Sequence, residues 1–357
     1  MLITPSSART PAIHIWIGAC LFVVGLMVFV GGVTRLTESG LSIVEWKLLS
    51  GILPPMTQEG WEAELEAYRQ TPEYQQINRG MSVGEFKQIF WLEYIHRILG
   101  RITGLVFMLP LVWFVARRKM DVALTCRMGL AFILVCAQGG VGWVMVASGL
   151  VDDPRVSPVK LAMHLSLAFT VWCVLLWTLF QLRGAPRLAP SCGYGFAIRG
   201  IVFLVAIQIV MGAFVAGMDA GLTYNTYPLM DGDWVPDGLW ILEPLSRNFV
   251  ENVTLVQFQH RWMAVVVSLA ILGFVLRAWK QADAGTQTWL AACAGMLVVQ
   301  FLLGVFTLLY VVPLVLASAH QMVALLLLSV LIRLCYAYPM QKGDKLCVNE
   351  ADLLKVK

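Results

Sequence analysis

EYIHRILGRITGLVFMLPLVWFVA, residues 93–116, is the stretch that decides the fold of this chain. Its apolar part, 94–116, is long enough for a helix to cross a hydrocarbon core of about 30 Å, which takes about 20 residues. Similar apolar runs lie near 15–33, 128–148, 159–181, 198–217, 255–276, 289–311 and 314–334. The pattern predicts an all-α integral membrane protein with eight transmembrane helices.

The composition excludes the other broad classes of protein. The 357 residues are 59% hydrophobic and only 13% charged, whereas soluble domains are about 25% charged. Disordered chains lack this much apolar surface, and barrel strands alternate polar and apolar residues. The net charge of +4 comes without a long basic run, so nucleic acid is not an expected partner.

The basic residues predict the orientation of the spans. More than half of the 26 Lys and Arg, but less than a quarter of the 22 Asp and Glu, lie in the N-terminus and in 117–127, 182–199, 277–288 and 333–357. Loops rich in Lys and Arg face the cytoplasm, so both termini are expected there, with the first span uncleaved. The N-terminus does not read as an organelle-type presequence, so we expect a bacterial inner-membrane protein.

Two long acidic loops, 34–89 and 218–252, are then expected on the periplasmic side. In the first loop, Trp61, Leu65 and Tyr68 fall at helical spacing among glutamates, which predicts a short amphipathic helix over the outer mouth of the protein. A solvated acidic helix without a role is the alternative. The eight cysteines form no close-spaced pair, so we expect small buried residues rather than disulfides or thiolate metal sites.

An internal repeat divides the chain. Three motifs of the first half recur in the second: Glu93-Tyr-Ile-His96-Arg97 as Gln257-Phe-Gln-His260-Arg261, Gln138-xxx-Gly142 as Gln300-xxx-Gly304, and His164 as His320. Gly25 is matched with Gly212, and these glycines are expected to mark helix-packing seams. The repeat predicts two tandem four-helix units, 1–185 and 186–357, related by a pseudo-two-fold axis along the membrane normal.

Four histidines occupy equivalent positions in this repeat. His96, His164, His260 and His320 each lie in the first turns of a span that runs from outside to inside, which places all four at a similar depth near the outer face. Two imidazoles at one level can hold haem iron from both sides, with the porphyrin between helices. Zinc fits worse because further ligands are missing. A single such histidine would be a hydrogen-bonded core residue, but four predict one bis-histidine haem site in each unit.

The residues beside the histidines differ between the units. Arg97 and Arg261 carry charges that are costly inside a membrane, and haem propionates would balance them; snorkelling towards the headgroups is the alternative. Glu93 is replaced by Gln257 in the second unit, and an amide cannot take a proton. We expect chemistry in the first unit, with Glu93 as its catalytic residue, and electron storage in the second. A structural ion pair of Glu93 with Arg97 or Arg101 is the alternative.

These motifs resemble those of the heme A synthase family over nearly the whole chain. The resemblance rests on GGVTRLTESGLSIVEWKLLSGILPP at 31–55, PEYQQIN at 72–78, EYIHRILGR at 93–101, QGGVGWVMVASGL at 138–150, RVSPVKLAMHLSLAF at 155–169, GLTYNTYPLMDG at 221–232 and FQHR at 258–261. It implies an oxidoreductase that acts on a CH3 group and converts a ring methyl of haem O to the formyl group of haem A.

The resemblance also implies roles for individual residues. The family positions that match His96 and His164 bind the substrate haem, those that match His260 and His320 bind haem b, and the glutamate that matches Glu93 is essential. We expect successive hydroxylation with water, with electrons leaving through haem b to an acceptor such as a quinone. Some members have a cysteine pair in each outer loop. This chain has none there, so no thiol-dependent step is expected.

Two other functions are open at this point. A dihaem b-type electron-transfer cytochrome without methyl oxidation is the main alternative, although such proteins stack their haems across the bilayer and these histidines share one level. A haem carrier is the third, but it has little use for the difference between Glu93 and Gln257. The expected partners are haem O, the lipid bilayer, heme O synthase (the protohaem farnesyltransferase) and cytochrome oxidase assembly factors.

Overall fold

A computed structural model of the chain describes residues 10–46, 51–151, 154–188 and 193–340. In chain order the helices are α1 (Pro11–Leu36), α2 (Gln58–Arg69), α3 (Pro72–Gln76), α4 (Val83–Ala116), α5 (Val122–Gly149), α6 (Pro158–Leu182), α7 (Tyr194–Gly217), α8 (Asn248–Glu251), α9 (Val253–Trp279), α10 (Ala284–Leu309) and α11 (Leu314–Ala337). All except α2, α3 and α8 are long and apolar enough to cross a membrane. The predicted all-α membrane fold with eight spans is confirmed.

Several spans begin earlier than hydropathy predicts, because polar caps extend them beyond the apolar run. The predicted start of the second span is 94, but α4 begins at Val83. There the Ser82 hydroxyl accepts a bond from Glu85 N, and the Glu85 carboxylate accepts one from Ser82 N, which is a capping box. Asp121 and Asp283 cap α5 and α10, each by accepting one backbone N–H.

The spans are grouped by their contacts into two rings. In the first ring α1, α4, α5 and α6 pack in chain order and α6 closes on α1; in the second α7, α9, α10 and α11 do the same and α11 closes on α7. The rings meet where α6 packs on α7 and α11, and where α11 packs on α1. This arrangement is compatible with two four-helix units. The division at residue 185 and the symmetry axis stay predictions.

Tight packing is concentrated at one end of the bundle. We call this the inner end, because it holds the beginning of α1 and the end of α11, and the opposite end the outer end. One cluster of buried side chains, which includes Ile17, Leu175, Ile271 and Leu331, joins the helices there. This core fixes the spacing of the helices and so positions their outer halves.

The predicted amphipathic helix forms as α2, at the outer end. Its residues Trp61, Leu65 and Tyr68 are buried against Phe86 and Phe90 of the extended α4. Burying a large apolar side chain is worth about 1.5–3 kcal/mol, so α2 is a packed part of the fold and not a solvated helix.

The described cysteines are free. Burial is confirmed for Cys20, Cys293 and Cys335, and Cys173 is half-buried. The prediction of burial is wrong for Cys126 and Cys136, which are exposed on α5, because an apolar span needs to bury only the face that meets other helices. The two remaining cysteines, Cys192 and Cys347, lie outside the described residues.

Candidate functional site

The repeat-related histidines lie in two pairs near the outer end. His96 is on α4, His164 on α6, His260 on α9 and His320 on α11. His96 lies within electrostatic range of His164, and His320 within range of His260. The structure therefore brings the predicted residues together as one pair of imidazoles in each ring.

Each imidazole faces a glycine on a neighbouring helix. In the first ring, a Cβ added at Gly31 would lie 3.2 Å from His96, and one at Gly142 would lie 3.0 Å from His164. In the second ring, a Cβ at Gly212 would lie 3.1 Å from His260, and one at Gly304 would lie 2.9 Å from His320. Any larger residue would push the ring away, because carbon atoms in contact prefer about 3.5–4.0 Å. These glycines are therefore part of the two sites.

The match of Gly25 with Gly212 is wrong. Gly25 packs against Trp172, 3.2 Å from its would-be Cβ, and Gly31 takes the position in α1 that faces a histidine. The error arose because the polar Gln208 lies one turn before Gly212 in α7, whereas the residue one turn before Gly31 in α1 is the apolar Met27. Apolar spacing alone could not give the register.

Glutamines touch the imidazoles of the second ring. Gln208 Nε2 lies 3.1 Å from His260 Nδ1, and Gln300 Nε2 lies 3.3 Å from His320 Nε2. A neighbouring amide restricts the orientation of an imidazole, as partners of metal-ligating histidines do. Gln138 has the same position relative to Gly142 in the first ring.

Buried residues are missing from each helix around its histidine. There are none between Glu93 and Thr103 in α4, between Ala162 and Phe169 in α6, between Gln257 and Val267 in α9, or between Ser318 and Leu325 in α11. The outer halves of α5 and α10 likewise bury nothing from 132 to 148 and from 298 to 309. Protein interiors are close-packed, so these segments are packed less closely than the inner end, as a site for an apolar body beside each pair of imidazoles requires.

Unsatisfied polar atoms are found at the same places. In the described ranges, buried side-chain atoms that lack a hydrogen-bond partner include Nδ1 of His164 and His320 and Oε1 of Gln138, Gln208 and Gln300. Such atoms are rare in folded proteins and indicate a missing partner. No group of three or more His, Cys, Asp or Glu side chains among the described residues could hold a metal ion. Two imidazoles suit haem iron, because the porphyrin supplies its other ligands, better than they suit zinc.

Glu93 is buried beneath the first outer loop, and both of its oxygens are engaged. Oε1 accepts bonds from Arg97 Nη2 at 2.6 Å and Nε at 2.9 Å, and Oε2 accepts bonds from Ser42 Oγ and Ile43 N, both at 2.8 Å. Arg97 also donates to the carbonyls of Ile43 and Glu45. Glu93 thus forms an ion pair with Arg97 and anchors residues 42–45.

The second ring has the same anchor with an amide in place of the carboxylate. Gln257 Nε2 donates to Ala220 O at 2.8 Å and to Thr223 O at 2.5 Å. Arg261 donates to the carbonyls of Thr226 and Tyr224 and to Gln257 Oε1. The two anchors therefore differ in charge rather than in position. Both arginines have protein partners here, and their contact with haem propionates stays a prediction.

A direct contact links the two sites across the interface between the rings. Gln321, the residue after the histidine of α11, donates to Val28 O of α1 at 2.7 Å. A Cβ added at Gly32 would lie 2.5 Å from its Oε1, and the adjacent Gly31 faces His96. Sequence reasoning did not identify Gln321; the only signal was its position beside a repeated histidine.

The chain matches the COX15-CtaA family model, described as a cytochrome oxidase assembly protein, over residues 14–332. The chain belongs to the COX15-CtaA family. The match spans both histidine pairs and Glu93, and the family resemblance predicted from the sequence motifs is confirmed.

Three curated relatives of this chain carry the same name. A protein of Nitrosospira multiformis named Heme A synthase is 46% identical over 328 residues, which cover 89% of this chain and 90% of the relative. Proteins of the same name from Parvibaculum lavamentivorans and Rhodopseudomonas palustris are 44% and 45% identical over 328 and 330 residues. They cover 92% and 90% of this chain and 94% and 90% of their own lengths.

Proposed function

We propose that this protein is a heme A synthase, a membrane oxidoreductase that converts a ring methyl of haem O to the formyl group of haem A. The relatives that bear this name align with about nine-tenths of the chain. The observation that carries the proposal is the pair of imidazoles in each ring, each facing a glycine, in helix segments without fully buried residues.

The two units have different roles in this proposal. His96 and His164, in 1–185, hold the substrate haem O, and His260 and His320, in 186–357, hold haem b. When bound, haem b supplies a one-electron carrier through which electrons pass to a quinone-class acceptor. The difference in charge between Glu93 and Gln257 supports this division, because only the first unit has a carboxylate at this repeat-related position.

The geometry favours a charge-stabilising role for Glu93. Conversion of a methyl to a formyl group by two successive hydroxylations consumes one water in net balance and releases four electrons and four protons. Positive charge develops on the carbon as electrons leave, and a preorganised anion stabilises such charge. Both oxygens of Glu93 accept hydrogen bonds within the protein, so the carboxylate is fixed in position. Arg97 and Ser42 act by holding it in place.

The proposed setting is the bacterial inner membrane. The concentration of Lys and Arg in the N-terminus, the inner loops and the tail supports cytoplasmic termini and haem sites towards the periplasm. The substrate would come from heme O synthase, and the product would serve cytochrome oxidase assembly. The tail from residue 341 lies outside the described residues.

Analysis of the haems extracted from purified protein tests this function. We expect haem b together with haem O or haem A in the wild type, and both haems but at least about a hundredfold less haem A formation in Glu93→Gln, the scale of a lost electrostatic contact in a transition state. Glu66→Gln, which alters an exposed glutamate of α2, is the matched control and should behave as the wild type.

Two results would contradict the proposal. Haem b alone in the wild type, without conversion of added haem O, would favour the dihaem cytochrome. Full conversion by Glu93→Gln with both haems bound would remove the role of Glu93.

A further inference from the structure

The two units fix the rotation of their first helix by different contacts. In the second unit, Gly212 of α7 faces His260. Gln208, one turn before that glycine, has its Nε2 3.1 Å from His260 Nδ1 and donates to His260 O at 3.1 Å. This amide holds α7 against the histidine that its glycine faces. The rotation of α7 about its axis is therefore set inside its own unit.

The equivalent helix of the first unit, α1, lacks this amide. Gly31 faces His96, but the residue one turn before Gly31 is Met27, whose thioether cannot donate a hydrogen bond. A helix that is apolar on all sides can bury any of its faces. The rotation at which Gly31 faces the imidazole therefore has to be fixed by other contacts.

Two polar contacts from the second unit hold the outer half of α1. Gln321 of α11 donates to Val28 O at 2.7 Å. Arg35, two turns later on α1, donates to Ala216 O of α7 at 2.7 Å and pairs with Asp219 at 2.8 Å. Residues seven apart lie on the same face of a helix. The second unit therefore holds the one face of α1 that includes Val28 and Arg35.

The Gln321 contact lies directly beside the glycine that faces His96. A Cβ added at Gly32 would lie only 2.5 Å from Gln321 Oε1, so the amide approaches this closely because position 32 has no side chain. Gly31 is the preceding residue, and neighbouring residues lie about 100° apart around a helix with 3.6 residues per turn. A rotation of α1 that broke the amide contact would therefore also turn Gly31 away from His96.

The repeat-related interface, between α6 and α7, has apolar residues at these two positions. The residue after the histidine is Leu165 in α6, and the residue after the glycine is Ala213 in α7. Leu165 packs against the buried apolar cluster that contains Ala213. The bridging amide is thus found at the interface of α1, which has no internal amide, and is replaced by leucine at the interface of α7, which Gln208 already holds.

Resting on the proposed function, we propose that Gln321 of the second unit is a positioning residue for the haem O site of the first unit. It acts through α1, because its hydrogen bond to Val28 O fixes the rotation at which Gly31 faces His96. The imidazole then keeps the orientation in which it binds the substrate haem. Gln321 follows His320 in the chain but acts on the opposite site, so the first site is complete only with the second unit folded against it.

The test measures haem binding by full-length Gln321→Leu, which introduces the residue type found at position 165 and changes the side-chain volume little. The protein in detergent, loaded with haem b, is titrated with haem O and followed by its absorbance. We expect the affinity for haem O to fall about 3- to 20-fold, the equivalent of one hydrogen bond between membrane helices. The EPR signal of the first-unit haem should shift, whereas the affinity and the EPR signal of haem b should stay unchanged.

Ser329→Ala is the matched control. It removes another hydrogen bond between the rings, from Trp172 Nε1 to Ser329 Oγ at 2.8 Å, about two turns nearer the inner end of α11. This variant should lower the melting temperature as Gln321→Leu does, but it should bind haem O with wild-type affinity. Gln321→Asn, whose amide is one methylene shorter, should also weaken haem O binding, and it decides the question if Gln321→Leu fails to fold.

A second substitution tests whether the effect passes through the rotation of α1. Met27→Gln, added to Gln321→Leu, gives α1 the amide that α7 has at the equivalent position. We expect this double variant to recover the haem O affinity of the wild type, because the new amide can hold α1 against His96 as Gln208 holds α7 against His260.

Several results would overturn the inference. They are wild-type haem O affinity in a folded Gln321 variant, an equal loss of haem b affinity, the same loss of haem O affinity in Ser329→Ala, or no recovery in the double variant. Failure of the wild type to bind haem O in the first unit would instead overturn the proposed function.

Discussion

Replacing Gly304 by alanine tests whether the glycine faces control haem binding. The new Cβ would lie 2.9 Å from His320 Cε1, whereas carbon atoms in contact prefer about 3.5–4.0 Å. The imidazole must therefore move by about 0.6–1.1 Å, or α10 and α11 must separate. Overpacking of this kind costs about 1–3 kcal/mol. Because 1.4 kcal/mol corresponds to a factor of ten, we expect the affinity for haem b to fall about 5- to 150-fold.

The matched control is Gly295→Ala, on the same helix, where an added Cβ meets nothing within 4 Å. Both variants would be purified and titrated with haem b, and the bound haem would be measured as its pyridine haemochrome. Equal haem b affinity in the two variants would refute the reasoning. In the first unit, Gly142→Ala, at 3.0 Å, should perturb haem binding more than Gly31→Ala, at 3.2 Å.

Other contacts lead to further predictions. Gly32→Ala places a Cβ 2.5 Å from Gln321 Oε1, so the optical and EPR spectra of both haems should shift; an unaltered first-unit spectrum would contradict the link between the sites. Ser42→Ala removes one of the four donors to Glu93, a contact worth about 1.5–3 kcal/mol. Haem A formation measured by chromatography should therefore slow about 10- to 150-fold, whereas an unchanged rate would argue against a positioning role. Burial of Glu73 raises the pKa of its carboxyl from 4.5 to about 7. The protonated carboxyl therefore stabilises the fold fully below pH 4.5, and this contribution is lost as the pH rises through about 7. The melting temperature of the wild type should fall over this range relative to that of Glu73→Gln, and parallel curves would contradict the raised pKa.

The spans and the histidine pairs were predictable from the sequence for physical reasons. A helix that crosses lipid must be apolar over its whole length, so hydropathy located every span. Spans that run in the same direction carry equivalent residues at equal depth, which predicted that His96 would meet His164. The ends of the helices were less predictable, because caps such as Ser82 act outside the apolar run.

The environment of each site depended on packing that sequence patterns do not encode. The rotation of α1 about its axis decides whether Gly25 or Gly31 faces a histidine. A helix that is apolar on all sides gives no sequence signal for this rotation. Two of the four donors to Glu93, Ser42 Oγ and Ile43 N, belong to an irregular segment without periodicity. The contact of Gln321 with Gly32 crosses between the two rings and appears only when both are folded together.

The haem content of variants that lack one histidine of each pair tests the central claim most directly. The wild type should bind two haems per chain. His320→Ala should lose haem b but keep the haem of the first unit, and His164→Ala should do the reverse, each with loss of one bis-histidine signal in the EPR spectrum. Retention of both haems with unchanged spectra in either variant would contradict the account.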